Sequence, residues 1–465
     1  MSGRPPAPDS GDGLRSLQSR GVSPALLTDL YQLTMLQAYE EEGMRETAVF
    51  SLFVRRMPPQ RNYLLACGLD DVLDYLEAVR FDRAALDYLA TLGRFSDRFL
   101  QRLERFRFSG DVLALPEGMP VFANEPILEV AAPLPEAQFI ETAVMNLVHH
   151  QTVIASKAAR VLEAAQGRSI VDFGLRRMHG LHAGLGAARA AYIAGIDGTS
   201  NVAASQCYGI PPSGTMAHSY VQAHDDEADA FRAFARLYPG TVLLVDTYDT
   251  IAGVHTVAAL SRELGAEFRV GAIRLDSGDL QALAVEARQI LDAAGLPHVR
   301  IVASSSLNED LIAALVRGGA PIDIFGVGTE MGVSRDAPTI DIVYKLVEYA
   351  GRGRLKLSPG KPVLPGRKQV FRVERDGLAQ RDVVARHDER LDGRPLLEPV
   401  MIAGARAAAG RTSLADARER CRRELARLPA HIRALAPAQP PYAVDISEAL
   451  AAGRERLASA KAPGR

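Results

Sequence analysis

Between about residues 138 and 340 the chain repeats one pattern: a short β-branched or apolar run, a polar or glycine-rich loop, then residues at helical spacing. Ser169–Phe173 leads into Gly174-Leu-Arg-Arg177, and Gly195-Ile-Asp197 precedes Gly198-Thr-Ser-Asn201. Gly214-Thr-Met-Ala-His218 follows, then Thr241–Val245 before Asp246-Thr-Tyr-Asp249. Phe268–Ile273 ends in Arg274-Leu-Asp-Ser-Gly-Asp279, His298–Ala303 in Ser304-Ser-Ser-Leu-Asn308, and Ile322–Phe325 in Gly326-Val-Gly-Thr329. Strands that alternate with helices pair in parallel, because only a crossover returns the chain to the same edge. About seven such runs predict a closed parallel α/β barrel. An open doubly wound sheet is the alternative, but no strand-linked GxGxxG fingerprint supports it; the Gly184–Gly186 and Gly195–Gly198 spacings are wrong.

The flanks differ. Residues 1–22 read as a disordered, Gly/Pro/Ser/Arg-rich tail, and order is expected from Leu26, with Thr28 or Asp29 capping a helix Leu30–Glu41. Strand-like 48–54, helices within 68–105 and short strands to about 135 describe an α+β module over 23–137, followed by the barrel over 138–340. The segment 341–465 returns to mixed strands, with helices expected at 411–428 and 445–461. A formal net charge of -2 argues against a nucleic-acid groove as the main surface. Cys67, Cys207 and Cys421 are far apart, which fits a reducing compartment without structural zinc. No apolar run reaches bilayer length and the N-terminus lacks a hydrophobic signal core, so a cytoplasmic protein is expected.

In a barrel the loops after the strands meet on one face. Arg176, Arg177, Thr199, Ser200, Asn201, His218, Asp246, Asp249, Arg274, Asp276, Ser304, Ser305, Gly326 and Gly328 would gather there. Arginines, hydroxyls and glycines around one mouth suit a polyanion. Gly326-Val-Gly328 reads as a backbone phosphate cradle or as an ordinary tight turn. The aspartates suit Mg²⁺ carried in with phosphates, since that ion takes few carboxylates and keeps waters. A phosphorylated sugar with metal is the expected substrate. Helix capping by Asp276 or Ser277, with Asp279 favouring the dipole, would explain part of the 274–279 loop, but not Arg274 at the end of an apolar strand. His218 is open to the roles of general base, metal ligand, phosphoryl acceptor or structural residue. Asp225-Asp226 reads as charge at a helix start, and His149-His150 as core or interface.

Taken in order, these segments resemble the nicotinate phosphoribosyltransferase family. The match is carried by Leu27-Thr-Asp-Leu-Tyr-Gln-Leu-Thr-Met35, Phe173-Gly-Leu-Arg-Arg177, Gly198-Thr-Ser-Asn201, Gly214-Thr-Met-Ala-His218, Arg274-Leu-Asp-Ser-Gly-Asp279 and Phe325-Gly-Val-Gly-Thr329. The turns Pro359-Gly-Lys361 and Pro365-Gly-Arg-Lys-Gln-Val370 add to it. The resemblance implies an irregular parallel α/β barrel plus an α+β domain assembled from N- and C-terminal segments. It also implies a homodimer with sites at the subunit interface. The implied reaction joins nicotinate to 5-phosphoribosyl 1-pyrophosphate (PRPP), with Mg²⁺ and coupling to ATP hydrolysis, in NAD salvage.

By the same resemblance, Phe173 and Tyr31 of the partner subunit would stack on the pyridine ring. Arg176 and Arg274 would face the nicotinate carboxylate and the sugar-phosphate groups, and Asp276 the ribose hydroxyls or metal, with Asp246 a further metal candidate. Gly326 and Gly328 would cradle the 5′-phosphate with backbone N–H groups, and Thr199, Ser200 and Thr329 would contribute to the substrate pocket. His218 matches the histidine that ATP transiently phosphorylates, so His218, Arg274 and Asp276 are the expected catalytic group. Ser200 stands where the similar nicotinamide-using enzyme has an aspartate, and a hydroxyl can donate to a carboxylate that an aspartate would repel. Two alternatives stay open: quinolinate phosphoribosyltransferase, which has no use for a phosphohistidine, and an inactive paralogue that binds metabolites.

Overall fold

The computed structural model describes residues 22–358 and 363–461, so the N-terminal tail and the Pro359–Lys361 turn lie outside the described residues. The chain forms two compact units, Lys157–Asp336 and the residues on either side of it, up to Ser156 and from Ala337.

The Lys157–Asp336 unit is built on a six-stranded parallel sheet. In chain order its strands are β1 (Ser169–Asp172), β2 (Gly198–Thr199), β3 (Val242–Leu244), β4 (Ala272–Leu275), β5 (Arg300–Ala303) and β6 (Ile324–Val327). Across the sheet the order is β2-β1-β6-β5-β4-β3. Last strand beside first is the cyclic order of a barrel, broken at one place, between β2 and β3. The expected closed wall is therefore an irregular, curled one among the described residues. The reason is local. On its free side Thr199 makes a single parallel bridge to Pro212, and its N–H donates to Pro211 O at 3.1 Å. Two consecutive prolines lack the N–H groups a ladder needs, so pairing stops there. The segment expected as a further strand end, Gly214–Ala217, is irregular and leads into the short helix His218–Gln222.

The strands are short and almost wholly apolar and buried, as parallel strands covered on both faces must be. Helices follow β1, β3, β4 and β5, and Thr250–Leu264 packs on Leu280–Ala293. The strands end in two groups: Ala303 pairs with Leu275, and Val327 with Asp172, while Ala303 also meets Phe325, so β6 runs two residues beyond β5. The loops after them leave the same edge of the sheet.

The other unit holds a seven-stranded sheet that mixes both chain ends. Thr47–Val54 lies between Pro126–Pro133 and Ile342–Tyr349, and Asp111–Ala114 pairs with Glu398–Ile402. A four-stranded sheet is built on the hairpin Lys368–Arg375 and Leu378–Arg386. The helix expected at 445–461 begins later, at Glu448, because Ala443–Ile446 forms a strand parallel to Leu378–Arg386. Helix Leu30–Glu42 starts after Asp29, yet no side chain caps it; the Asp29 carboxylate instead accepts from Thr142 Oγ1 at 2.8 Å. Asp226 does cap Glu227–Leu237, accepting from Ala228 N at 2.9 Å, as the acidic doublet suggested. His149 is half-buried and accepts at Nε2 from Ile340 N, a structural role. Among the described residues no helix is long and apolar enough to cross a membrane.

Candidate active site

The loop after β4 carries the densest chemistry. Arg274 is half-buried in the strand and donates from Nη2 to Met216 O at 3.1 Å, while its Nε is buried without a partner. Burial pulls its pKa down; Asp276 and Asp246 pull the other way, and the Arg176 charge adds to the lowering. A desolvated guanidinium with an unused donor, beside a second arginine, fits an anion that brings its own acceptors.

Asp276 accepts from Ser304 Oγ, at the end of β5, and its other oxygen lies 3.7 Å from His218 Nε2. Its backbone N–H donates to Asp246 Oδ2 at 2.9 Å, and Ser277 Oγ donates to the same oxygen at 2.6 Å. Asp246 Oδ1 is buried and meets no hydrogen-bond partner. The ends of β3, β4 and β5 and the start of the His218 helix therefore form one polar cluster. The His218 ring is oriented from its far side, with Nδ1 3.1 Å from Thr247 Oγ1.

Only one residue of this loop caps the helix that follows. Asp279, not Asp276 or Ser277, caps Leu280–Ala293, accepting from Gln281 N at 3.1 Å and Ala282 N at 3.2 Å. Gly278 makes the turn between them at φ +78°, where a side chain would be strained.

On the β1 and β6 side, Phe173 lies across Gly326, where a Cβ would come within 2.6 Å of two ring carbons. Glycine there seats the aromatic ring, and Gly326 itself stays in the ladder opposite Val171. Gly328, beyond the strand, precedes the four-residue helix Thr329–Gly332, and Thr329 is exposed. Arg176 and Arg177 are exposed in a 3₁₀ turn. Ser200 is half-buried, with its N–H donating to Asp172 O at 2.8 Å. Thr199 is 1% exposed and gives its hydroxyl to Asp172 Oδ2 at 2.8 Å, so it ties two loops together instead of facing the mouth. Tyr31 belongs to the other unit and is 48% exposed. Burial first, then Glu141 and Asp29, push its phenol up to about 12.

Ser304 is among the strand-end residues expected at the mouth, but two participants do not stand out in the sequence. Thr247 has no motif. Glu227 looks like an ordinary first-turn acid. Its Oε1 is buried without a partner, and burial followed by Asp226, Asp246 and Asp249 raises its pKa to about 7. Only the spatial neighbourhood of Asp246 and Asp249 distinguishes it.

Residues 26–149 match the nicotinate phosphoribosyltransferase (NAPRTase) N-terminal domain, and residues 168–371 the nicotinate phosphoribosyltransferase (NAPRTase) family. The chain is 52% identical over 433 residues to nicotinate phosphoribosyltransferase pncB2 of Mycobacterium tuberculosis, covering 93% of this chain and 94% of that protein. It is 41% identical over 378 residues to the nicotinate phosphoribosyltransferase of Bacillus subtilis, covering 79% and 77%. Among solved structures it is similar to human nicotinic acid phosphoribosyltransferase, with a TM-score of 0.82, 30% identity, and coverage of 92% of this chain and 99% of that one.

Proposed function

The chain belongs to the nicotinate phosphoribosyltransferase family, and on that premise we propose that it converts nicotinate and PRPP to nicotinate mononucleotide and pyrophosphate in NAD salvage. The observation that carries the proposal is the desolvated Arg274 with its unused Nε, set beside the linked Asp276, Asp246 and His218. This arrangement suits a sugar bearing phosphates.

The transfer breaks the bond from ribose C1 to the pyrophosphate oxygen and forms the bond from C1 to the pyridine nitrogen, through an oxocarbenium-like state. The attacking nitrogen carries no proton, so the chain needs no general base for this step. Its residues instead position the reactants and stabilise the charge on the leaving group. Phe173, seated on Gly326, offers a face to the pyridine ring, and Tyr31 of the partner subunit would offer the other in a homodimer. Arg274 and Arg176 take the anionic groups, and the Gly326-Val-Gly328 turn holds the 5′-phosphate. Asp246, with its unpartnered buried Oδ1, and Asp276 fit a divalent ion that binds through one or two carboxylates and substrate phosphates. Mg²⁺ held there would neutralise charge on the departing pyrophosphate.

The proposal includes coupling to ATP, which places the enzyme in the ligase class, with His218 accepting the γ-phosphoryl group as ADP leaves. The Thr247 hydroxyl at Nδ1 and the Asp276 carboxylate near Nε2 support that role by holding the ring. It also includes a cytoplasmic setting.

Turnover of nicotinate against nicotinamide, with PRPP and with or without ATP, tests the whole proposal; nicotinate used in preference, with ATP stimulation, is the expected result. His218→Ala is expected to abolish the ATP stimulation while slow transfer continues. Equal loss with and without ATP would make His218 part of the transfer chemistry itself. Ser200→Asp is expected to lower the nicotinate-to-nicotinamide ratio of kcat/KM by about tenfold or more, since a carboxylate repels the acid and accepts from the amide. An unchanged ratio would remove Ser200 from substrate selection.

A further inference from the structure

One acid at the mouth presents no surface to it. Asp172 ends β1, is 1% exposed, and holds two loops at once. Its Oδ1 accepts from Gly174 N at 2.8 Å, its Oδ2 from Thr199 Oγ1 at 2.8 Å, and its backbone carbonyl from Ser200 N at 2.8 Å. The connection continues outward. Thr199 Oγ1 accepts from Asn201 N at 3.1 Å, and Asn201 donates from Nδ2 to Gly184 O and caps helix Val202–Tyr208.

The residue type follows from the partners. A backbone N–H and a hydroxyl both donate to this side chain, so an acceptor-only group with two oxygens satisfies both. Asparagine would turn two N–H donors toward one of them. Glycine at 174 lets the backbone close on the carboxylate, since a Cβ there would come within 3.0 Å of Oδ1. Burial raises the Asp172 pKa, and the Thr199 and Gly174 hydrogen bonds oppose that rise. Keeping a carboxylate in such a place costs stability, and an apolar side chain would avoid the cost if packing were all that was needed.

We infer that Asp172 is a positioning residue for the pyridine subsite: it ties the loop carrying Phe173 and Arg176 to the loop carrying Ser200, so that the stacking face and the carboxylate-binding hydroxyl keep one geometry. This rests on the nicotinate reading of the mouth. Thr199 is the second half of the tie.

Nicotinate and PRPP are varied separately for the parent, Asp172→Ala, Asp172→Asn, Thr199→Val and Thr199→Ser, with thermal melts and amide hydrogen exchange at Gly174 and Ser200. Loss of a buried hydrogen bond at each loop is expected to raise the nicotinate KM of Asp172→Ala and Thr199→Val by about tenfold to a hundredfold. The PRPP KM should stay within about threefold, Asp172→Asn should fall between, and Thr199→Ser should restore the parental value. The Gly174 and Ser200 amides should exchange faster while those of β5 keep their protection. A merely structural Asp172 would lower the melting temperature and kcat with an unchanged nicotinate KM, and that result overturns the inference. Parental protection at both amides overturns it as well. If the parent shows no turnover of nicotinate, the reading of the mouth falls, and the exchange data still decide whether Asp172 ties the loops. If Asp172→Ala does not fold, the Thr199→Val and Thr199→Ser pair decides between the same two outcomes.

Discussion

Asp276→Ala is expected to lower kcat/KM by a factor of about a hundred to a thousand, whereas Asp279→Ala, three residues on, leaves the chemistry unchanged. Both acids sit in the four-residue loop Asp276–Asp279, and their partners separate them. Asp276 meets Ser304 from the next strand and stands 3.7 Å from the ring nitrogen of His218. Removing it strips charge from the centre of the cluster and frees His218 on the side facing the mouth. Asp279 points away and accepts from Gln281 N and Ala282 N at the start of its own helix. Its loss should cost about 1 kcal/mol of stability through the missing cap. Asp276→Asn refines the comparison, because it retains an acceptor for Ser304 and loses the charge; its turnover should lie close to that of Asp276→Ala if charge is what matters. Steady-state kinetics beside denaturant melts of the three variants provide the check. An Asp279 variant that lost turnover while Asp276→Ala lost only stability would reverse the assignment.

That contrast also marks how far the sequence could be read. The abrupt change from Ile273 to Arg274 and Asp276 is visible in one dimension, because strand ends in parallel sheets have a known destination. Arg274, Asp276 and His218 do gather at the expected face. The division of labour inside the loop is not visible, since any of Asp276, Ser277 and Asp279 is chemically able to cap. Only the direction of each side chain decides, and the αL turn at Gly278 sets that direction. Gly326 and Thr199 illustrate a second limit. A glycine at a strand end satisfies a phosphate cradle and an aromatic seat equally well, and the packing of Phe173 on Gly326 is visible only in three dimensions. A threonine in a polar loop reads as a ligand contact until a buried acid claims its hydroxyl. The barrel itself is legible because its strands are apolar runs spaced by helices. Its open seam is legible only in part, because Pro211 and Pro212 stop a ladder whose other side had first to be placed. Asp29 fails as a cap for the same kind of reason: Thr142, far away in sequence, takes its carboxylate.

Arg372→Met should destabilise the protein by about 3–5 kcal/mol, the cost of leaving a buried ionic partner unpaired. Arg372 is 1% exposed and donates from Nε to Asp382 Oδ1 at 2.9 Å and from Nη2 to Asp382 Oδ2 at 2.6 Å and Pro120 O at 3.0 Å. Tyr442 OH donates to Asp382 at 2.9 Å while its ring stacks on Phe122. Glu125, fully buried, lies beside this pair, and its Oε2 accepts from Phe122 N at 2.9 Å. One guanidinium cannot neutralise two carboxylates in a dry site. Burial first, and the nearby Asp382 second, push Glu125 well above the usual carboxylate range, against the pull of Arg372. The folded chain therefore keeps a proton that the unfolded chain releases at an ordinary glutamate pKa of about 4.3. Stability from this group is fully present below that value and is lost as pH rises toward the folded pKa, because there the native state binds more protons than the unfolded state. Glu125→Gln carries a permanent N–H in place of the proton. It should flatten this part of the pH profile and leave the protein more stable than the parent at pH 7. Glu125→Ala should flatten it equally, but at the added cost of a cavity and an unsatisfied Phe122 N–H. Urea melts of the three variants and the parent from pH 4 to pH 8 would distinguish these outcomes. A parental slope retained in Glu125→Gln would show that Glu125 does not carry the buried proton.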